Sequence, residues 1–488
     1  METRTEKPNN DNNGQKPQQS AYFLLAGIFG IVFAVIYIAL LLYVHFLTPR
    51  ANPTMSEAAA NMLFAFILFV LFVALYLYTI TSRRELLFNL REASAIMTVF
   101  GLVITANIFL SYLNPYLMFV SLTALLALPF SKKRDAFILN VFACLISAFF
   151  LINATDSGFA TIVFTSIAGV FGGAVGVYIF PSAITRVMSI LRSVVCSLST
   201  VVIYMLFLCT YSLSFAPFSD NIMYIAIAAA GQVLLCGLIE PIIEAIFNIT
   251  TDFKLVELTN HKAPLVKRLM TEAPGTFNHC LAVANFAEIC ASAIGEDPYM
   301  ARACAYYHDV GKLNNVSYFA ENQVGHNSHD EILPEVSAEI IRQHTVDGYR
   351  LCKEYRIPEE IARVTIQHHG TLPITYFYNK ARSLTDSEVD VDEYRYHGET
   401  PTSKIAAIIM ICDSSEAAIR AMDNPNGERV DKLLRGLIND RISQGQFDNC
   451  NLTMRELTVM REAIVNGYGG LFHKRVKYNN GRGGSGDV

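Results

Sequence analysis

Seven polar side chains could do chemistry together: His279, the pair His308 and Asp309, His344, the pair His368 and His369, and Asp413. Most are set in apolar surroundings, as in ACAYYHDVGKL, EVSAEIIRQH, ARVTIQHHG and KIAAIIMICDSSEAA. Drawing bare imidazoles and carboxylates toward an interior is costly unless they are paired or bind metal. A single buried histidine is usually a hydrogen-bonded core residue, but seven such groups together point to ligation. Adjacent residues on a helix point about 100° apart, so a His-Asp or His-His doublet near a helix end can serve two neighbouring ions. Five imidazoles and two carboxylates exceed what one ion needs and suit two. With no thiolate in the set, mixed nitrogen and oxygen ligation favours Fe, Mn or Zn over a structural cysteine site. Two divalent ions roughly 3.5–4 Å apart can activate a water and clamp both oxygens of a phosphoryl displacement, which is phosphodiester hydrolysis.

The elements that must position these groups read as helices. Thr276 is expected to cap one ending at Gly295, and Asp297-Pro298 to open one ending at Gly311. Pro358 opens one ending at Gly370, and Thr402 or Ser403 opens one running past Asp413. No strand pattern competes, so the C-terminal half is expected to be all-α. Before it, from Ala21 to Thr250, long uncharged runs follow one another. Across 488 residues the apolar fraction is 52% and the charged fraction 17%, too oily for a soluble protein of this length. The expected fold class is therefore all-α: a polytopic membrane bundle of about eight spans followed by a helical domain.

Crossing a bilayer needs about 20 apolar residues. Candidate spans are 21–47, 57–81, 94–112, 115–130, 135–152, 160–181, 188–212 and 221–239, the fourth short enough to be re-entrant. Arg4, Lys7, Lys16, Arg83, Arg84, Arg91, Lys132, Lys133, Arg134, Arg186 and Arg192 fall in alternate connections, while the others hold only Arg50. Cytoplasmic loops retain such cations, so eight spans with both termini inside fit the pattern. The bundle carries almost no mid-depth charge, which argues for an anchor or sensor rather than a transporter. Gly169, Gly172, Gly173 and Gly176 put small residues on one face of the sixth span, a packing device. The ten cysteines, from Cys144 to Cys450, form no CxxC pair and read as reduced thiols. The net charge of −5 gives no pull toward nucleic-acid polymers. The expected division is a disordered N-terminus (1–20), an anchor (21–47), a seven-span region (57–247), a coupling segment (248–272), the metal-binding domain (273–475) and a disordered tail (476–488).

The order His, His-Asp, His, His-His, Asp, with HDVGK at 308–312, resembles the HD phosphohydrolase superfamily. EAPGTFNHC, YYHDVGKL, FAENQ and QHHGT look like the PgpH-type seven-transmembrane receptors with an intracellular HD hydrolase, a likeness running from roughly Arg84 through Arg475. The resemblance implies a cyclic di-AMP phosphodiesterase in the plasma membrane, making linear pApA, with two divalent ions (Mn or Fe) as cofactors, the lipid bilayer as surroundings and a homodimer left open. It implies that the seven residues are the metal ligands, that His308 and Asp309 are catalytic with Asp309 bridging the ions, and that Lys312 is catalytic and lies near substrate phosphate. One ion is assigned His279, His308 and Asp413, the other His344, His368 and His369. The alternative reading of Lys312 is a solvated helix-end cation.

Two departures stand out. Family members commonly carry a large extracellular domain between the first two spans, where this chain has only 48–56. Asn314–Ser317 lacks the proline and basic residue expected before FAENQ. The alternatives are an HD phosphodiesterase for another nucleotide such as cyclic di-GMP, made less attractive by LPITY after HHGT, and a non-enzymatic nucleotide receptor. His326, His329 and Asp330 are assigned to loop structure, and His45, His261, His397 and His473 have no assigned partner.

Overall fold

The computed structural model describes residues 15–42, 55–83, 86, 89–154, 158–179, 185–323 and 325–471. The chain divides into two compact units, Met1–Phe253 and Lys254–Val488.

The first unit is built from α1 (Gln15–Leu42), α2 (Met55–Ser82), α3 (Leu90–Leu113), a short α4 (Leu122–Ala127), α5 (Lys133–Ala154), α6 (Phe159–Tyr178), α7 (Arg186–Ser212) and α8 (Ala216–Phe247). Apart from α4, each of these is long and apolar enough to cross a membrane. Their outer faces are hydrocarbon-like: Phe23 is 79% exposed and Phe66 62%, an arrangement water would penalise and lipid would not. Starts and stops follow local chemistry. The Asn89 side chain accepts from Glu92 N–H and that of Thr185 from Met188 N–H, while Leu213 and Asn248 end α7 and α8 in the left-handed region. Because α1 starts at Gln15, Gln15–Ser20 are helical rather than disordered, Pro17 falling in the first turn, where its missing N–H costs no helical bond. Residues 1–14, 43–47 of the first span and the tail from 472 lie outside the described residues.

The expected fourth span, 115–130, is neither an ordinary helix nor re-entrant. It is a broken crossing made of a 3-10 turn (Pro115–Leu117), a bend, α4 and a second 3-10 turn (Leu128–Phe130). One end lies beside the C-terminus of α3 and the start of α8, where Asn114 donates to Asn221. The other end reaches Ser131, which shares a small cavity with Ala93 and Ile96 at the start of α3. The extended backbone at Met118, and Pro129 in the second 3-10 turn, prevent one continuous helix. The backbone donors this frees are taken by side chains from neighbouring helices: Phe119 N–H donates to Asn107 Oδ1 (2.7 Å), Ser121 N–H to Gln232 Oε1 (3.2 Å) and Ala124 N–H to Asn140 Oδ1 (3.3 Å). The glycine stripe of α6 cradles this segment. A Cβ at Gly169 would sit 2.9 Å from the Val120 carbonyl, one at Gly172 3.4 Å from Ser121 Cβ and one at Gly173 3.5 Å from Ala124 Cβ.

The second unit is also helical: α9 (Asp252–Leu258), which begins in the first unit, α10 (Pro264–Glu272), α11 (Pro274–Ile294), α12 (Pro298–Tyr307), α13 (Pro334–Glu354), α14 (Glu359–Gln367), α15 (Thr375–Leu384), α16 (Lys404–Arg420), α17 (Gly427–Ser443) and α18 (Met454–Leu471). The described residues contain no β-strand, only one isolated bridge between Pro373 and Arg395. One apolar core joins these helices, from Leu255 and Leu265 to Ile464. The segment expected only to couple the units thus buries Leu255, Leu258, Leu265, Val266 and Leu269 in this core. α11 is apolar enough to pass for a membrane span, but Val283, Phe286 and Ala287 are fully buried within the same core, so it is a core helix. Thr276 lies within the first turn of α11 instead of capping it, since Pro274 starts the helix earlier. α12 stops at Tyr307 and a 3-10 turn carries the chain through Gly311.

Candidate metal centre

The seven predicted residues arrive from five places and converge. His279 stands one turn into α11, whose start is pinned by close packing. A Cβ on Gly275 would sit 1.9 Å from the Glu321 carbonyl oxygen, and Asn322 accepts from Thr276 N–H (3.2 Å) and donates to Thr276 Oγ1 (2.8 Å). The FAENQ segment is therefore a structural partner of EAPGTF. His308 and Asp309 follow α12. Gly311 lets α13 pass directly over them, because a Cβ there would meet the His344 carbonyl at 1.9 Å. His368 and His369 leave the end of α14, Gly370 turns the chain at φ +53, and Gln446 latches the next residue by accepting from Thr371 N–H and donating to its hydroxyl. Asp413 sits midway along α16, behind the fully buried run Ile408–Cys412.

Donor atoms fall into two trios, each within 4.8 Å: His279, His308 and Asp413, and His344, His368 and His369. These are the residues that the family resemblance assigned to one ion and to the other. Asp309 lies between them. Its Oδ2 is 3.3 Å from His308 Nε2 and 3.6 Å from His279 Nε2, and its Oδ1 is 3.4 Å from His344 Nε2 and 3.7 Å from His368 Nε2. Asp413 also spans the gap, with Oδ1 3.0 Å from His279 Nε2 and Oδ2 3.8 Å from His369 Nδ1.

The far ring nitrogens are held by carbonyls that can only accept. His308 Nδ1 meets the Ala305 oxygen (2.8 Å), His344 Nδ1 that of Ile341, and His368 Nδ1 that of Val364 (3.2 Å). Those Nδ1 atoms must carry the proton, so in the neutral ring the Nε2 lone pair points into the cluster. For His279 a carboxylate does this job: Glu416 Oε2 is 2.6 Å from Nδ1. Cys280 Sγ lies 3.9 Å from His308 Nδ1 and forms, with donor atoms of His308 and Asp309, a third group within 4.8 Å beside the first trio.

The donor set fits divalent cations on a direct observation: His308 Nε2 and Asp309 Oδ1 are buried without a hydrogen-bond partner. Such atoms are rare in folded proteins unless an ion, ligand or water completes them. Electrostatics agree. Burial disfavours charge on His279, yet hydrogen bonds to Asp413 and Glu416 prevail and raise its pKa to about 10. Burial likewise opposes ionisation of Asp309, but Lys312 and His308 hold it well below the usual carboxylate range. The second trio goes the other way: burial pushes His368 well below the ordinary imidazole value and His369 down to about 3, leaving neutral ligating rings.

Lys312 Nζ is 2.8 Å from both Asp309 Oδ2 and Glu321 Oε1, so this cation is buried between two carboxylates rather than solvated at a helix end. Its ammonium also lies 5.0 Å from the centre of the Phe319 ring. His329 is a loop residue, 2.7 Å from the Tyr318 carbonyl, as is Asp330, which pairs with Lys380, and His326 is exposed. His261 packs edge-on against Phe277, His397 is exposed, and His45 and His473 lie outside the described residues. Sequence reading missed three contributors. Glu416 had a signal, since it follows Asp413 by three residues and shares its helix face. Glu321 lay inside the FAENQ segment already singled out but was given no role, and Tyr396, which stacks on His369 at 4.3 Å, comes from a loop and gave no signal.

Residues 276–418 match the model of a family described as the HD domain. Cyclic-di-AMP phosphodiesterase PgpH of Bacillus subtilis (strain 168) is 43% identical over 250 residues, covering 51% of this chain and 35% of that protein. Cyclic-di-AMP phosphodiesterase PgpH of Listeria monocytogenes serotype 1/2a (strain 10403S) is 40% identical over 256 residues, 52% of this chain and 36% of that protein. The crystal structure of the L. monocytogenes PgpH HD domain in complex with cyclic-di-AMP is 40% identical with a TM-score of 0.43, covering 44% of this chain and 100% of that one. The chain thus spans about a third of the length of the curated relatives it matches.

Proposed function

We propose that this chain, which belongs to the HD-domain family through residues 276–418, is a membrane-embedded phosphodiesterase that hydrolyses cyclic di-AMP to linear pApA with two divalent cations, Mn or Fe. One observation carries the reading: the two oxygens of Asp309 face two separate donor trios, and Asp309 Oδ1 and His308 Nε2 are buried with no hydrogen-bond partner. His279, His308 and Asp413 would hold one ion and His344, His368 and His369 the other, with Asp309 placed to serve both. When bound, such a pair of cations supplies Lewis acidity and lowers the pKa of a water held between them. The chain's own residues do the rest. The carbonyl-anchored rings keep Nε2 aimed inward, Glu416 orients His279, and Lys312 offsets the charge of Asp309 and Glu321 while standing where substrate phosphate would approach. The choice of cyclic di-AMP is supported by two relatives of that name at 43% and 40% identity.

Charge supports an orientation. Arg83, Arg91, Lys132, Lys133, Arg134 and Arg186 all lie at the end of the bundle from which α8 leads toward the second unit, and the positive-inside rule favours the cytoplasm for that end. The catalytic domain and both termini then face the cytoplasm, with 248–272 as the coupling segment and 273–475 as the hydrolase. The test uses the full-length purified protein, loaded with Mn or, anaerobically, with Fe. Cyclic di-AMP is expected to yield pApA in preference to hydrolysis of cyclic di-GMP in a competition assay. Stoichiometric metal without any product would overturn the reading and favour a nucleotide receptor.

A further inference from the structure

Of the five clustered histidines, His369 is held differently from the rest. The other four commit a ring nitrogen to a carbonyl or to Glu416, whereas neither ring nitrogen of His369 has a hydrogen-bond partner among the described residues. Asp413 Oδ2 stands 3.8 Å from its Nδ1, too far for one. His369 is also the histidine of the five nearest to solvent, its side chain 22% exposed against at most 8% for the others. An imidazole with no hydrogen bond to orient it keeps rotational freedom, which it must lose each time an ion binds, unless something else fixes its plane. Three rings touch it. His368 and His344 meet it at 42° and 85°, and only Tyr396 lies nearly parallel, with centroids 4.3 Å apart and planes 24° apart. Tyr396 is itself buried, at 9% exposure.

We propose that Tyr396 is a positioning residue for the second trio: its ring fixes the plane of His369, doing for that ligand what a hydrogen bond does for the other four histidines. The proposal rests on the reading of the seven donors as a two-ion centre. The loop that carries Tyr396 is built to hold it against His369. The isolated bridge between Pro373 and Arg395 joins the stretch just after His369 to the residue just before Tyr396. Tyr396 N–H donates to the Leu372 carbonyl (3.0 Å) and Ile374 N–H to that of Tyr394 (2.7 Å). Arg342 Nε of α13 donates to the Arg395 carbonyl (2.8 Å), and the Arg395 guanidinium to the carbonyl of Thr371 (3.1 Å). Two residues beyond Tyr396, Gly398 presses on the end of α14, where a Cβ would sit 2.2 Å from the Ile366 carbonyl and 2.9 Å from that of Gly370. Backbone therefore ties the histidine and its platform together on both sides of the stack. Stacking sets the plane of an imidazole and leaves its nitrogens at the edge of the pair, where a lone pair stays available to an ion. An ion at the second trio would thus be held by two hydrogen-bonded rings and one stacked, more exposed ring, and would be the more readily exchanged of the two.

The experiment loads the full chain, purified into lipid nanodiscs, with Mn and withdraws the metal with increasing chelator, following release by the electron paramagnetic resonance signal of free Mn. The parent protein is expected to bind two ions and to give up one before the other. Tyr396→Leu is expected to weaken the ion lost first about 10-fold and to leave the second within about 2-fold. Tyr396→Met, an unbranched side chain that fills similar space, is a second non-aromatic variant with the same expected effect. Tyr396→Phe keeps the ring and is expected to match the parent protein. In a His369→Gln background there is no imidazole to position, so Tyr396→Leu is expected to add nothing, which a general loss of stability would not reproduce. Three outcomes overturn the positioning role while the two-ion reading stands: both ions held as tightly in the non-aromatic variants as in the parent, an equal loss in Tyr396→Phe, or an undiminished effect of Tyr396→Leu beside His369→Gln. A parent protein that binds fewer than two ions overturns that reading and this proposal together.

Discussion

The two units bury polar groups in opposite ways. In the bundle, Asn107, Asn140 and Gln232 each spend an amide oxygen on a backbone N–H freed where the fourth crossing breaks, and the polar atoms close on one another. In the second unit, four histidines commit one ring nitrogen to a carbonyl or to Glu416 and aim the other at a common space, where Asp309 Oδ1 and His308 Nε2 find no protein partner. The first pattern is a solution to a backbone problem and the second is a set of unfilled valences. Buried polarity alone therefore says little about function, and where its lone pairs end decides the matter.

The sharpest way to break this contrast is Asp309→Asn. It keeps size but removes the charge and one of the two oxygens facing the trios, so turnover is expected to fall on the order of 10³-fold with loss of bound metal. Unchanged metal content and rate would mean the valences were filled some other way. Glu416→Gln keeps the hydrogen bond to His279 but not its charge, and metal affinity, followed by competition with a chelator, is expected to drop roughly 10–100-fold. In the bundle, Gln232→Leu strands the Ser121 N–H and leaves its hydroxyl only Thr200 Oγ1 at 3.5 Å. It is expected to cost about 1–3 kcal/mol of stability, seen as a lower unfolding midpoint in lipid discs, while hydrolysis well below that midpoint stays intact. Activity lost with the midpoint unmoved would show that the bundle's amides also face a ligand.

The smallest effect sharpens the control. Lys404 lies 2.5 Å from Glu456, and that hydrogen bond pulls the Glu456 pKa down to about 2. A depressed carboxylate stabilises the fold above its ordinary pKa near 4.5, and the contribution disappears as pH falls toward 2. Glu456→Gln is expected to lose about 0.2–1 kcal/mol at neutral pH, a gap from the parent protein that closes through that window in thermal scans. A pH-independent gap would assign the loss to packing of α18 instead.

Much of the C-terminal half was legible because its signals are local. Doublets next to glycines, Asp297 before Pro298 and Ser403 before an apolar run mark helix ends without knowledge of the fold. The seven donor positions could be written down from residue types and family order, whereas their division into two trios had no local signal. Hidden were the parts that depend on distant segments meeting. Glu321 joins the site only because Gly275 lets its backbone approach, and Tyr396 arrives from a loop. The membrane half shows the same limit. Apolar length located the crossings, but hydropathy is blind to whether 115–130 stays continuous, and the amides that repair the break lie on three other helices.

That break dictates an order of assembly. A crossing whose backbone is satisfied by Asn107, Asn140 and Gln232 has no stable existence as a lone rod in lipid, and the carriers of two of those amides are synthesised after it. Residues 115–130 must therefore wait near the point of insertion until α5 and α8 arrive, which makes this stretch the last piece of the bundle to settle and the first to be lost if either helix is removed.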